Sequence, residues 1–334
     1  MRKLALALLA AALVLPLTGV GNYPLHLMVT GLLWAFIYTS WSIMGRLGLV
    51  SFGHGAFLGI GAYGSVLLWN FHGLSPWLGL LVSIVIALAV AFLIAWPCFR
   101  FKIVGHYFAL VTLALSEVTR LIIVGLRDVT GGSLGLTPKS ALGSGESWSL
   151  LAMQFSSKVV WFYLMLGCWL IALYVWHRVD RSMNRLALEA ISEEEDAAAS
   201  IGIDVSRAKL TVTLLSAAMT CVGGALYAQY QLYVNPETVS GIGISLQMVF
   251  GVIAGGMFVM LGPAVGAIFL LVLSESLRVL IGNDALGVDT TIYGLLLILF
   301  IIFMPKGILG TLLERVGNRS AAQAAAAPAS QPVK

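Results

Sequence analysis

The strongest constraint on this chain is the stretch from 77 to 96, WLGLLVSIVIALAVAFLIAW, twenty residues without a charge. About 20 apolar residues of helix cross the hydrocarbon layer of a bilayer, and a helix satisfies its own backbone hydrogen bonds there. Ten such segments are read along the chain: 4–20, 25–44, 50–70, 77–96, 103–125, 159–177, 208–230, 244–261, 264–282 and 290–304. Composition agrees, with 59% hydrophobic and 10% charged residues in 334. Soluble domains average about 25% charged, so a water-soluble globule and a disordered chain are both excluded. The expected fold class is therefore all-α, a polytopic transmembrane helical bundle of about ten spans. Eight to ten are acceptable, for two reasons. The segment 50–70 carries Gly53, Gly55, Gly59, Gly61 and Gly64, and Gly262-Pro263 interrupts 244–282. Either region is compatible with a continuous span or with a broken, re-entrant one.

The charges give an orientation. With ten alternating spans and the N-terminus inside, fourteen of the nineteen Lys and Arg residues fall on the inner side. The outer loops hold Arg127, Lys139 and Lys158, and Arg120 and Arg278 lie within spans. Bilayer proteins retain Lys and Arg on the cytoplasmic side, so both termini are expected in the cytoplasm. The same rule accounts for the net charge of +4 without nucleic acid. Residues 126–157 then face outside and 178–207 inside. Met1-Arg2-Lys3 and the apolar run behind them have the look of a signal peptide. No A-x-A site follows, and the segment is read as a retained first span. The membrane domain is taken as 1–315, and the Ala-rich stretch 316–334 as a disordered tail.

No catalytic motif is visible: there is no G-x-S-x-G, H-E-x-x-H or Walker A pattern. Cys98, Cys168 and Cys221 lie far apart in apolar stretches, and His26, His54, His72, His106 and His177 share no ligand spacing. No metal and no cofactor is expected. The inner loop NRLALEAISEEEDAAASIGIDVSRAKL (Asn184–Leu210) is the most informative stretch. Ser192 stands where an N-cap would, acids follow it, and Gly202 is a natural stop, so a short helix outside the membrane is expected. It reads either as a solvated connector or as a docking helix whose small residues allow close approach while flanking charges set the partner.

Within the spans, Glu117 and Arg120 share a helix face at i, i+3, and Glu275 and Arg278 repeat the spacing. Charges in a bilayer are costly, so these pairs mark either structural locks at the outer rim or a pathway or gate. Ser51, Gly53, His54 and Gly55 join them as pathway candidates. Ser51 and His54 are expected near the membrane edge. The outer loop TGGSLGLTPK (Thr130–Lys139) is turn chemistry, either a flexible connector or a shaped contact surface.

At the inner loop the chain resembles the permease subunits of bacterial ABC importers, whose coupling loop follows E-A-A-x-x-x-G. Asp196-Ala197-Ala198 with Gly202 keeps that spacing, Asp replacing the first Glu. GRLGLVSFGHGAFLGIGAY (Gly45–Tyr63), HYFALVTLALSEVTRLI (His106–Ile122), GALYAQYQLYVNPE (Gly224–Glu237), GVIAGGMFVMLGPAVGA (Gly251–Ala267) and YGLLLILFIIFMPKGILG (Tyr293–Gly310) are similar to the LivM-type branched-chain amino acid permeases, in the expected order. The resemblance implies a subunit of a bacterial inner-membrane importer for branched-chain or related hydrophobic amino acids. Its partners would be a second permease, two cytoplasmic ABC ATPases, a periplasmic binding protein and membrane lipid. Glu189, Ala190, Glu193, Asp196, Ala197, Ala198 and Gly202 would form the ATPase-coupling element, and ATP hydrolysis would belong to the partners. Permeases for urea or other small solutes share the family. A self-sufficient secondary transporter is the alternative from the residues alone, distinguished by independence from partners.

Overall fold

Small residues decide how the helices of this chain meet. A Cβ placed on Gly61 would overlap the carbonyl of Cys221, and one on Gly224 the carbonyl of Leu58. The helices carrying these glycines are thus in backbone contact, as small-residue packing in membranes allows. In the computed structural model, residues 13–141, 148–182, 185–281, 288–303 and 307–314 are described. Among the described residues, the regular structure is helical apart from one two-stranded hairpin, Trp148–Ser149 paired antiparallel with Gln154–Phe155. The first expected span, 4–20, lies outside the described residues up to residue 12, and the tail 316–334 lies wholly outside them.

The helices are α1 (Asn22–Gly45), α2 (His54–His72), α3 (Pro76–Arg100), α4 (His106–Gly125), α5 (Lys158–Ser182), α6 (Arg185–Glu193), α7 (Glu195–Ser200), α8 (Val205–Gln231), α9 (Ile242–Gly255), α10 (Gly262–Ile281) and α11 (Val288–Phe303). Among the described residues, six stretches are long and apolar enough to cross a membrane: α1, α3, α4, α5, α8, and Pro236–Gly255, which contains α9. Helix α2 is not among them, because glycines, Tyr63 and Asn70 lower its hydropathy. It does not need to be, since it is enclosed by α8, α3 and α4. Helix α8 is the hub, packing on α1, α2 and α3, while α10 packs on α1 and α9.

Helix α3 separates two kinds of surface. Gly79, Ser83, Ala87, Ala91 and Ala95, one every four residues, are buried. Leu78, Leu81, Val82, Val85, Ile86 and Leu93 are exposed on its other faces. A spacing of four returns to nearly the same side of a helix. The bundle therefore takes the small stripe and leaves the large aliphatic surface outward.

Two stretches depart from continuous spans. Residues 46–53 turn back into the bundle before α2 starts at His54. Between α8 and α9 a one-turn helix, Pro236–Val239, is followed by a break at Ser240 and Gly241, the latter at φ +88°. The glycine is needed there, because an L side chain rarely adopts that region. The interruption expected at Gly262-Pro263 occupies more chain than that pair: α9 already ends at Gly255, and a turn fills the gap to Gly262. The loop after α5 holds two helices rather than one. Ser192 lies inside α6, and the residue preceding α7 is Glu194, in extended conformation. The acids at 193–196 break the run because Glu194 must turn the chain between the two helices.

Candidate functional site

Contacts between helix ends define two ends of the bundle. At one, Arg46 at the end of α1 pairs with Asp180 of α5 at 2.5 Å and lies over the Trp176 ring. The same end carries α6 and α7. Ile191 and Ala198 are buried there with Met44, Leu47, Phe99, Trp176 and Val212. These apolar anchors seat the loop on the bundle. Two ion pairs complete the seat: Lys209 of α8 with Glu195, and Lys102 with Asp196 at 3.0 Å. Lys209 is 1% exposed, whereas Lys102 and Asp196 are about 80% exposed. The first pair is thus an interior contact and the second a surface one. A cleft of about 240 Å³ separates α7 from the ends of α3 and α8, lined by Phe99, Lys102, Asp204 and Lys209 among others.

This arrangement sorts the expected coupling residues. Asp196 turns toward Lys102, and Ala198 is buried. Glu189, Glu193, Ala197 and Gly202 are exposed, and Ala190 is half-buried. Gly202 ends the element at φ +91°. Beside it Ile201 is 73% exposed, so a large apolar side chain and Ala197 share the outward surface one turn apart. Glu195, Lys209, Lys102 and Ile201 were not legible as site residues. Lys209 looks like any inner-loop cation until the fold buries it.

The second assembly lies inside the bundle, where α2, α4 and α9 converge. Irregular backbone at membrane depth persists only when its polar groups find partners. The stretch before α2 finds them in side chains. The Trp41 indole N–H donates to the Ser51 carbonyl at 2.9 Å, the Phe52 N–H to Thr112 Oγ1 at 3.1 Å and the Gly53 N–H to Ser51 Oγ at 3.1 Å. The Gly55 N–H donates to Ser245 Oγ at 3.1 Å, and Ser116 and Ser245 both donate to the Gly241 carbonyl. A Cβ on Gly55 would stand 2.7 Å from each serine oxygen. That glycine is therefore required by close approach.

His54 points the other way, toward α8. It is 1% exposed, with Nε2 2.8 Å from Ser216 Oγ. Ser216 donates its hydroxyl to the Ser40 carbonyl at 2.6 Å, so His54 is the donor to Ser216 and carries its proton on Nε2. The ring sits against Trp41 and Phe57. Ser51 and His54 are thus enclosed by neighbouring helices. The path of 46–53 brings both residues between the helices before α2 begins.

Arg120 joins this junction to the opposite end. Its guanidinium bonds Glu117 at 2.5 Å, as the spacing predicted, and reaches Glu237 of the one-turn helix at 2.9 Å. Its side chain also lies against Gly241, where a Cβ would approach its Cδ to 2.7 Å. The segment before the break is held from outside as well. Val234 exchanges two backbone hydrogen bonds with Leu136, and Tyr233 donates to the Leu134 carbonyl at 2.8 Å. The glycine-rich loop at 130–139 is therefore a shaped support. The second expected pair involves the Arg278 side chain, which lies outside the described residues; its other member, Glu275, accepts from Tyr23 at 2.9 Å. Of the eight pathway candidates, the structure gathers Ser51, Gly53, Gly55, Glu117 and Arg120 around the entry to α9. Ser116, Ser245, Gly241 and Glu237 complete the set and had no signal at the sequence level. Among the described residues, no group of three or more His, Cys, Asp and Glu could hold a metal ion.

Comparisons with known proteins bear on both assemblies. The family described as branched-chain amino acid transport system / permease component matches residues 23–304. The high-affinity branched-chain amino acid transport system permease protein LivM of Escherichia coli is 31% identical over 284 residues, covering 80% of this chain and 65% of LivM. The chain thus spans about 65% of the length of that relative. The probable branched-chain amino acid transport permease protein LivH of Methanocaldococcus jannaschii is 26% identical over 296 residues, 83% of this chain and 90% of LivH. The Escherichia coli LivH protein is 25% identical over 280 residues, 80% of this chain and 88% of its own. No solved structure matches.

Proposed function

Since the chain belongs to the family of branched-chain amino acid transport permease components, we propose that it is one membrane subunit of an ABC importer for branched-chain or related hydrophobic amino acids. It lies in a bacterial inner membrane with about ten spans and both termini in the cytoplasm, as the inner excess of Lys and Arg supports. The membrane domain runs to about residue 315. Its partners are a second permease of the same family, two cytoplasmic ATPases that hydrolyse ATP, and a periplasmic binding protein at the 126–157 face.

One observation carries the mechanism. The α6–α7 element is seated by Ile191, Ala198 and the Lys209–Glu195 pair, and it leaves Ala197, Ile201 and Gly202 outward. Small and apolar groups outward suit a groove on an ATPase, and the inward pair ties the element to α8. Closure of the ATPases pushes α7, and α8 transmits the push to α2 and α3, on which it packs. Glu189, Ala190, Glu193 and Asp196 set the register at the rim. At the opposite face the 130–139 loop supports the segment before α9, and Arg120 holds that segment to α4. Release of this clamp moves Gly241 away from Ser116 and Gly55 and opens a way between α2, α4 and α9. Ser51, Gly53 and His54 line the approach from the other end. A zwitterion with an aliphatic side chain needs few charges along such a route, and the junction provides hydroxyls, backbone carbonyls and small residues. Glu275 and Arg278 form a second rim pair.

The test is purification of the chain from its native host in mild detergent, with mass spectrometry and an ATPase assay. Two ATPases and a second permease are expected, and reconstituted complex with binding protein should import leucine on ATP. Leucine uptake by the chain alone, without ATP, would reject the importer reading in favour of a self-sufficient transporter.

A further inference from the structure

The hairpin Trp148–Phe155 places its apolar residues unusually. Ala152 and Met153 are fully buried, so one side of the hairpin belongs to the core. The tip faces away: Trp148, Leu150 and Leu151 are 62–69% exposed. Residues 148–157, WSLLAMQFSS, contain no charge. The tip's backbone is also spoken for. The Trp77 indole N–H donates to the Leu150 carbonyl at 2.7 Å, and the Ser75 hydroxyl donates to the Leu151 carbonyl at 2.5 Å. These bonds fasten the tip to the first turn of α3.

We infer that this tip is a lipid-interface anchor, seated at the headgroup boundary beside α3. Helix α3 identifies lipid as the occupant. Its small stripe, Gly79 to Ala95, is already used inside the bundle, and its outward surface from Trp77 to Trp96 is apolar and mostly large. Protein contacts between membrane helices favour small and polar residues, so this outward surface is one for acyl chains. Trp77 stands where that surface reaches the helix start and is itself 42% exposed. Tryptophan is enriched at this depth, with its ring in the apolar layer and its N–H bonded. Trp148, Leu150 and Leu151 extend the same surface past the helix end. With no charge to desolvate and two carbonyls already bonded, the tip enters the boundary without exposing unsatisfied groups. The anchor holds the outer end of α3 and, through the Trp69 and Asn70 bonds to 137–139, the supporting loop at constant depth.

The test uses the intact complex in nanodiscs of phosphatidylethanolamine and phosphatidylglycerol. Leu150→Cys is labelled with NBD in a chain whose Cys98, Cys168 and Cys221 are replaced by alanine. Lipids spin-labelled near the headgroup should quench the probe nearly as strongly as one at Leu81→Cys, and far more than one at Ser200→Cys. Quenching no greater than at Ser200→Cys overturns the anchor, as does protection of the probe by the second permease or the binding protein. Should the cysteine-free chain fail to fold, benzoylphenylalanine at Leu151 in the otherwise unchanged chain gives the same answer. Lipid adducts support the anchor; protein adducts, or none, overturn it.

Discussion

The two ends of the bundle each hold a segment with an ion pair, and the two pairs differ in burial. At the α6–α7 end, Lys209 is 1% exposed and its partner Glu195 35%. At the opposite end Arg120 is 25% exposed and Glu237 73%. A buried pair is expensive to break one member at a time, because the survivor is left charged in a low-dielectric interior. A pair that water reaches is worth about 1 kcal/mol or less. Under the importer reading proposed above, the buried pair would make α7 move together with α8, and the water-reached pair would be the one to release. The other attachments of the segment before α9 are two backbone bonds to Leu136, the Tyr233 bond to Leu134, two serine hydroxyls on Gly241 and the burial of Val234 and Val239.

The sharpest way to break this contrast is Glu195→Met, which strands the buried Lys209 ammonium. It should destabilise the subunit by about 3–5 kcal/mol, seen as a large fall in detergent unfolding temperature. Lys209→Met combined with Glu195→Met should recover most of the loss. If the double variant is as unstable as the single one, the pair is not what seats the loop. Next in size, Gly55→Val should cost about 3 kcal/mol, because the new side chain must displace Ser116, Ser245 and the Gly241 carbonyl. Unchanged stability would mean that α2, α4 and α9 do not meet as closely as described. Glu237→Gln should lower stability by under about 1 kcal/mol. It should nevertheless alter uptake by the reconstituted complex, since it releases one side of the Arg120 clamp. Equal uptake would remove the clamp from the mechanism. Last, Ile201→Asp should leave the unfolding temperature unchanged while weakening stimulated ATPase activity. A normal ATPase would show that the exposed surface of α7 is not the docking surface.

Much of this molecule was legible because membranes make local rules strong. The apolar segments, the i, i+3 pair of Glu117 and Arg120, and the stop at Gly202 all depend on neighbours within one helix or one turn. The helices of the 178–207 loop were legible in outline, and its acids were expected to face a partner. In the fold, Glu195 and Asp196 turn back toward lysines, and Ile201 takes the outward place. The charge run could not reveal this, because Lys209 lies on the next helix, and its burial is set by Phe99 and the cluster around it. The enclosure of Ser51 and His54 was not legible for a related reason. Hydropathy marks a span but not where within it the helix starts.

The sequence alone determined the bilayer as solvent, the helices that fill it and the small residues that let helices touch. These follow from periodicity and composition, since each residue answers to water or lipid on its own. Only the tertiary structure decided which carbonyl Ser116 and Ser245 would satisfy, which carboxylate Lys209 would neutralise and how Arg120 would reach Glu237, 117 residues away. Broken backbone and buried charge must find partners wherever the fold brings them, and that search is settled by three-dimensional proximity rather than by order along the chain.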